Sequence, residues 1–154
     1  MITRSANQYG PWQFPEKVIP LFVTNLLDGH KVPLYGDGLN IRDWTYVEDN
    51  CAAVHLVLEQ GDIGGIYNIG AGNELTNKEL THAILERCGK NDDMIEYVED
   101  RLGHDRRYSI DTTKIRNLGW APTHSFEHAL DTTVDWYTNN RTWWEPLKAT
   151  VKNR

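Results

Sequence analysis

Residues Ile41 to Val47 alternate between apolar and polar side chains, and the chain then runs without glycine or proline into a helix-like stretch from about Asp49 to Gln60. A half-buried strand repeats every two residues and a helix every 3.6. A join of this kind demands a sheet with a helix packed close to it. The Cys51 to Leu58 part is apolar almost all round except His55, which predicts burial on more than one face, with His55 as a satisfied core histidine.

The same switch of period recurs along the chain. Ile2-Thr3 reads as a strand end, and Ser5 to Pro11 as a loop of turn formers and short polar side chains. An opening of this kind leads one to expect elements before it, with Met1 as a genuine start the equal alternative. Pro15-Glu16 suits a first helical turn, after which Ile19, Phe22, Val23, Leu26 and Leu27 recur at helical spacing up to Gly29, with Pro20 as a mild kink. Val32 to Tyr35, Ile66 to Ile69, Ile95 to Val98 and Arg107 to Ile110 read as short strands. Thr76 or Asn77 caps a helix lined by Leu80, Ala83, Ile84 and Cys88. Thr112 or Thr113 opens a short helix ended by Gly119, and Ser125 caps a last long one with Phe126, Ala129, Leu130, Val134 and Tyr137 inward. Trp143, Trp144 and Pro146 close the fold. Mixed strands and helices make the class α/β or α+β.

The 154 residues suit one domain with a real core. A formal net charge of -6 and no basic tract longer than Arg106-Arg107 argue against nucleic acid as a partner. Cys51 and Cys88 are too few and too far apart for a disulfide framework or a Cys-rich metal site, so both are expected as free thiols. No apolar run approaches a membrane span and the N-terminus carries no signal-peptide core, so a cytoplasmic protein with no membrane partner is expected.

The chemistry concentrates in Asp100 to Asp111, which reads Asp-Arg-Leu-Gly-His-Asp-Arg-Arg-Tyr-Ser-Ile-Asp. Arg101, Arg106 and Arg107 offer planar bidentate donors, His104 a further donor, and Gly103 a close backbone approach, so phosphate is the natural guest. Asp100, Asp105 and Asp111 cancel the three arginines, and a set of structural ion pairs remains open on the residues alone. Asn7, Lys17, Arg42, Asn77, Arg101 and His104 are polar groups at element ends or in loops that can converge on a phosphorylated ligand. Gly70-Ala-Gly72 after a strand falls short of a dinucleotide fingerprint, because Leu75 stands at the third glycine and no acidic residue ends a following strand. His124 and His128 need not share a face, and no metal site is expected. Trp136, Tyr137, Trp143 and Trp144 are read as packing aromatics.

Six segments, taken in order, carry a resemblance over nearly the whole chain. They are Asn7-Gln-Tyr-Gly-Pro11, Phe14-Pro-Glu-Lys17, Tyr35-Gly-Asp-Gly38, Arg42-Asp-Trp44 with Val47-Glu-Asp49, Tyr67-Asn-Ile-Gly70 and Asp100 to Tyr108. Together they closely resemble the C-terminal half of the dTDP-glucose 4,6-dehydratases, which are extended short-chain dehydrogenases/reductases in the NAD-dependent epimerase/dehydratase family. The resemblance implies an α/β fold, namely the mixed substrate-binding portion of that architecture over residues 1–154. Asn7, Lys17, Arg42, Arg101 and His104 match positions that hold the diphosphate and its ribose, and Val18, Pro33, Tyr35 and Asn77 match positions around the nucleoside.

The ligand so implied is a dTDP-sugar, the cofactor NAD, the assembly a homodimer, and the reaction dTDP-glucose to dTDP-4-keto-6-deoxyglucose in deoxysugar biosynthesis. Gln8 and Ala6 depart from the family pattern beside the nicotinamide end, which leaves Asn7 and Gln8 as the candidate cofactor contacts. The family's glycine-rich NAD loop, Tyr-x-x-x-Lys pair and Asp-Glu pair would all precede Met1. The expectation is that this chain holds no catalytic residue and does not catalyse the reaction alone. A stand-alone nucleotide-sugar binding or regulatory module, or the corresponding half of a related epimerase, are the other readings.

Overall fold

A computed structural model describes residues 1–150. Among these residues seven strands and six α-helices follow in the order β1 (Ile2–Ser5), β2 (Asn7–Tyr9), α1 (Val18–Leu27), β3 (Val32–Tyr35), β4 (Ile41–Tyr46), α2 (Val47–Gln60), β5 (Ile66–Ile69), β6 (Glu74–Thr76), α3 (Asn77–Arg87), β7 (Ile95–Val98), α4 (Thr113–Asn117), α5 (Phe126–Asn139) and α6 (Arg141–Lys148). The strands form three small sheets: a parallel β1-β5 pair, a β2-β4-β6 sheet with β2 parallel and β6 antiparallel to β4, and a parallel β3-β7 pair.

Two apolar clusters hold these pieces. The larger joins α1, α3 and α5 to β3 and β4 through Ile19, Val23, Leu26, Leu34, Trp44, Leu80, Ile84, Leu130 and Tyr137. The smaller gathers Ala53, Val57, Tyr67, Ile69, Ile115 and Trp120 between α2, β5 and α4. A link between them is the buried carboxylate of Asp49 on α2. Its Oδ1 accepts from the Thr123 amide at 2.9 Å and the Thr123 hydroxyl at 2.8 Å, and lies 3.0 Å from His124 Nδ1. Burial opposes its charge, but these hydrogen bonds prevail and hold its pKa below the ordinary carboxylate value.

Most boundaries follow the local chemistry. Thr76 and Glu79 form a reciprocal capping box on α3, and the Ser125 hydroxyl caps α5. All five residues of the predicted α5 stripe are buried. Pro20 is the third residue of α1, where its missing N–H has no intrahelical acceptor to lose, so it needs no kink.

Four expectations are corrected. Residues Asn7–Tyr9 are a strand and not loop, because β4 supplies a parallel ladder that local turn chemistry does not reveal. Arg107 to Ile110 is no strand: Ile41 bridges Arg107, but from Trp44 onward β2 pairs with β4. The apolar run of α2 is not buried on several sides, since only Ala53 and Val57 go inside while Cys51 and Val54 face out and Leu58 is 69% exposed. His55 is exposed and pairs with Glu59, so it is no core histidine. The Trp143 to Pro146 stretch closes the fold as expected, in a helix, α6, that carries an internal proline and buries Trp144 completely.

Two comparisons test this core. Leu130→Ala, at a fully buried position, is expected to cost about 2–5 kcal/mol in urea unfolding, whereas Leu58→Ser stays within about 0.5 kcal/mol of the parent. Because the Asp49 pKa is lowered on folding, its contribution is present above the ordinary carboxylate value of 3.8 and is lost as pH falls through the folded value. Asp49→Asn is expected to lower the urea midpoint at pH 7 and to flatten the loss of stability below pH 4.

Candidate functional site

Side chains alternate along a strand, so Arg42, Trp44 and Tyr46 of β4 share one face, and Asp43 and Thr45 the other. Trp44 lines a cleft of ≈ 230 Å³ with Asn7 and Gln8 of β2, Gln13 and Lys17 of the loop that follows, and Val18 and Ile19 at the start of α1. Four residues singled out in the sequence therefore meet here: Asn7, Gln8, Lys17 and Val18. Parallel pairing of Asn7 with Trp44 sets the two walls side by side. The Lys17 ammonium is largely exposed at the mouth and lies 3.8 Å from Glu16.

Arg42 is buried, yet no carboxylate pairs with it among the described residues. Its guanidinium donates to the carbonyl of Asp105 at 2.9 Å and to that of Ile41 at 2.7 Å, and lies 4.1 Å from the centre of the Tyr108 ring. A backbone tether orients the group without neutralising it.

The arginine stretch resolves into different roles. Arg106 pairs with Asp37 and Arg107 makes a bidentate pair with Glu74. The ion-pair reading is thus correct for these two, and their phosphate-donor role is withdrawn. The partners are distant carboxylates and not the neighbouring ones the sequence suggested. Asp105 accepts the Tyr108 hydroxyl and Asp111 caps Thr113.

Arg101 stands apart, exposed, with no carboxylate partner among the described residues and its guanidinium 5.9 Å from the Tyr35 ring. His104 is half-buried with its side chain largely covered, its Nδ1 lies 2.6 Å from Asp100, and this bond above all holds the Asp100 carboxyl below its ordinary value. Gly36, at φ +57, lets the turn after β3 pass within a hydrogen bond of Val98 and against Asp100, which brings Tyr35 to the arginine segment. Pro33 lies two residues back on β3, opposite Glu96 of β7. Asn77 opens α3, and its amide donates to the carbonyl of Asn40, next to β4. The nine substrate-contact candidates thus fall into the β2-α1 cleft, the Arg42-Tyr108 stack and the Tyr35-Arg101 contact, with His104 bonded through its amide to the Arg101 carbonyl and Pro33 and Asn77 flanking.

On the opposite face of β4, burial pushes the Asp43 carboxyl up, although it accepts the Gly72 amide at 2.9 Å. A Cβ at Gly70 would come within 2.4 Å of its Oδ2, so that turn serves close packing. Gly72 leads into β6 before α3 begins, so no glycine turn here opens a helix, and these residues do not form a dinucleotide cradle. Asn7 and Gln8, the candidate cofactor contacts, line the cleft. Among the described residues no group of three or more potential ligands is placed to hold a metal, and no helix is long and apolar enough to cross a membrane.

Gln13, Trp44, Asp105 and Tyr108 were missed by sequence reasoning. Trp44 was detectable, since it falls on the Arg42 face of an alternating strand; the others depend on contacts between distant segments.

The family described as GDP-mannose 4,6 dehydratase matches residues 1–133. The chain belongs to that family. It is 55% identical over 148 residues to a dTDP-glucose 4,6-dehydratase of Streptomyces antibioticus, which covers 96% of this chain and 44% of that protein. It is 56% identical over 137 residues to the low-salt glycan biosynthesis protein Agl12 of Haloferax volcanii, covering 89% and 44%. Among solved structures, the dTDP-glucose 4,6-dehydratase DesIV of Streptomyces venezuelae, with NAD and TDP bound, superposes with a TM-score of 0.93 at 56% identity, over 95% of this chain and 46% of that one. The UDP-glucose 4-epimerase of Thermotoga maritima gives 0.85 at 35%, over 90% and 46%. The chain spans under half the length of these relatives. The α/β architecture of extended short-chain dehydrogenases/reductases is thereby confirmed.

Arg42→Lys keeps the charge but loses the planar stack and the fork that holds Asp105. Exchange of the Tyr108 amide, which donates to the Ile41 carbonyl, is expected to quicken by roughly tenfold, the equivalent of about 1.4 kcal/mol.

Proposed function

We propose that this chain is the substrate-binding portion of a dTDP-glucose 4,6-dehydratase, over residues 1–154, and that it grips the nucleoside diphosphate of dTDP-glucose while a cofactor domain acts on the sugar. One observation carries this. Of the four arginines in and beside the site, Arg106 and Arg107 are spent on carboxylates, while Arg42 and Arg101 are held by a carbonyl and by aromatic rings with their charge intact. Guanidinium groups free of a carboxylate pair suit a diphosphate.

In this reading Asn7, Lys17, Arg42, Arg101 and His104 hold the diphosphate and ribose. Val18, Pro33, Tyr35 and Asn77 surround the nucleoside, with the half-buried Tyr35 ring offered to a base. These residues bind and orient, and none of them moves a proton or hydride. NAD, when bound to the cofactor domain, supplies the oxidation and reduction of the sugar. The paired, exposed Ile2 and Ile66 of β1 and β5 support a join to that domain's sheet, since parallel sheets are ordinarily covered on both faces. A homodimer in the cytoplasm, without nucleic acid or membrane, belongs to the same reading. The lower identity to the UDP-glucose epimerase supports dTDP over UDP.

Calorimetric titration of the chain with dTDP is the test. Saturable binding is expected, weakened at least tenfold by Arg101→Ala and by Arg42→Ala and little changed by Arg106→Ala. No binding by the folded chain, or a preference for UDP, would overturn the proposal.

A further inference from the structure

The loop between β2 and α1 carries a backbone feature unlike any other in the molecule. Trp12 has φ +66, the one positive φ at a residue other than glycine among the described residues. A left-handed backbone is disfavoured for a bulky side chain and persists only where the surroundings over-determine it. Here the surroundings are two further indoles. The Trp12 ring centre lies 4.8 Å from that of Trp136 on α5 and 5.3 Å from that of Trp143 on α6, and those two are 5.1 Å apart, with interplanar angles of 55°, 85° and 72°. Tilted and edge-on contacts of this kind are the favourable aromatic geometries.

Trp12 is nonetheless 63% exposed, so the cluster is no part of the core. Its neighbours in the chain are tied down in the same direction. Next to it, the Gln13 carbonyl accepts the Tyr137 hydroxyl of α5 at 2.5 Å, and the Gln13 side chain donates to the Gln8 carbonyl of β2 at 2.9 Å. Farther along, the Lys17 amide closes on the Phe14 carbonyl at 3.2 Å. Gln8, Gln13 and Lys17 are walls of the cleft.

We infer that Trp12, Trp136 and Trp143 form a clasp that fixes residues 10–17 in the shape that brings Gln13 and Lys17 to the cleft. Trp12 is a positioning residue that acts through Lys17 and touches no ligand itself. Without its two partners, Trp12 has no compensation for its backbone, and the loop is free to relax away from β2. The binding arm of the test rests on the dTDP reading; the loop arm does not.

Trp12→Gly and Trp12→Phe separate the effects, because glycine accepts φ +66 without strain but has no ring, and phenylalanine keeps a ring. Three quantities are measured on the purified chain: melting temperature, dTDP affinity by calorimetry, and amide exchange at Lys17. For Trp12→Gly the expected result is an almost unchanged melting temperature, Lys17 exchange faster by tenfold or more, and a similar loss of dTDP affinity. Trp12→Phe recovers most of both. Loss of the near-ultraviolet tryptophan circular dichroism in Trp12→Gly reports the opened clasp. Arg101→Ala, by contrast, is expected to weaken dTDP binding with Lys17 exchange unchanged. Parent-like Lys17 exchange in Trp12→Gly would overturn the clasp and leave the nucleotide reading intact. So would a fall in melting temperature with faster exchange throughout the chain, which marks a purely structural role. If the parent binds no dTDP, the nucleotide reading fails, and Lys17 exchange alone still decides the clasp.

Discussion

The structure depends on how the backbone groups of β4 are divided among three partners. The Ile41 backbone bonds the 106–108 segment on one side while Ile41 to Asp43 face β6; from Trp44 onward β2 takes the place of the 106–108 segment. Each assignment sets a part of the site. Pairing with β2 lays Asn7 beside Trp44, and the single bridge at Ile41 sets Asp105 and Tyr108 over Arg42. A one-residue slip of β4 would send Arg42 and Trp44 to the face now held by Asp43. That face cannot take them, because the Gly70 turn already sits against the Asp43 carboxylate.

The second requirement is that α2 stay attached to both clusters. Its apolar residues supply part of this, with Ala53, Val57 and the partly buried Leu56 on the smaller cluster and Val47 on the larger. A polar device supplies the rest, with the Asp49 carboxylate taking the Thr123 and His124 groups and the Asp49 carbonyl taking the Trp120 indole N–H. A buried charge is tolerable when several donors share it. The segment before α5 is thereby positioned by one carboxylate.

Much of the fold was legible because its helices obey local rules. The α5 stripe, the Thr76 cap and the Gly119 stop all follow from spacing and capping chemistry. What stayed hidden depended on partners far away in sequence. Asn7–Tyr9 has the composition of a turn and becomes a strand because β4 lies beside it. The α2 run looked buried because Val54 and Leu58 are apolar, and composition does not report what faces them. The site divides in the same way. Guanidinium groups were identifiable from Arg101 to Arg107, but their fate was decided by Asp37 and Glu74, some 69 and 33 residues away. Resemblance to known dehydratases singled out Arg42 and Arg101, and geometry supplies a physical reason: of the four arginines in and beside the site, they are the two without a carboxylate ion pair among the described residues.

The tether of Arg42 is a peptide carbonyl and the face of a phenol ring. The carbonyl does not titrate, and the ring remains a neutral phenol well above neutrality, because its bond to Asp105 raises its pKa further. An anion arriving at Arg42 has no counter-charge to displace, and no proton need be taken up or released on the protein side of that contact. The group behaves as a fixed electrode set into the wall of the molecule, held by contacts that carry no charge of their own to lose.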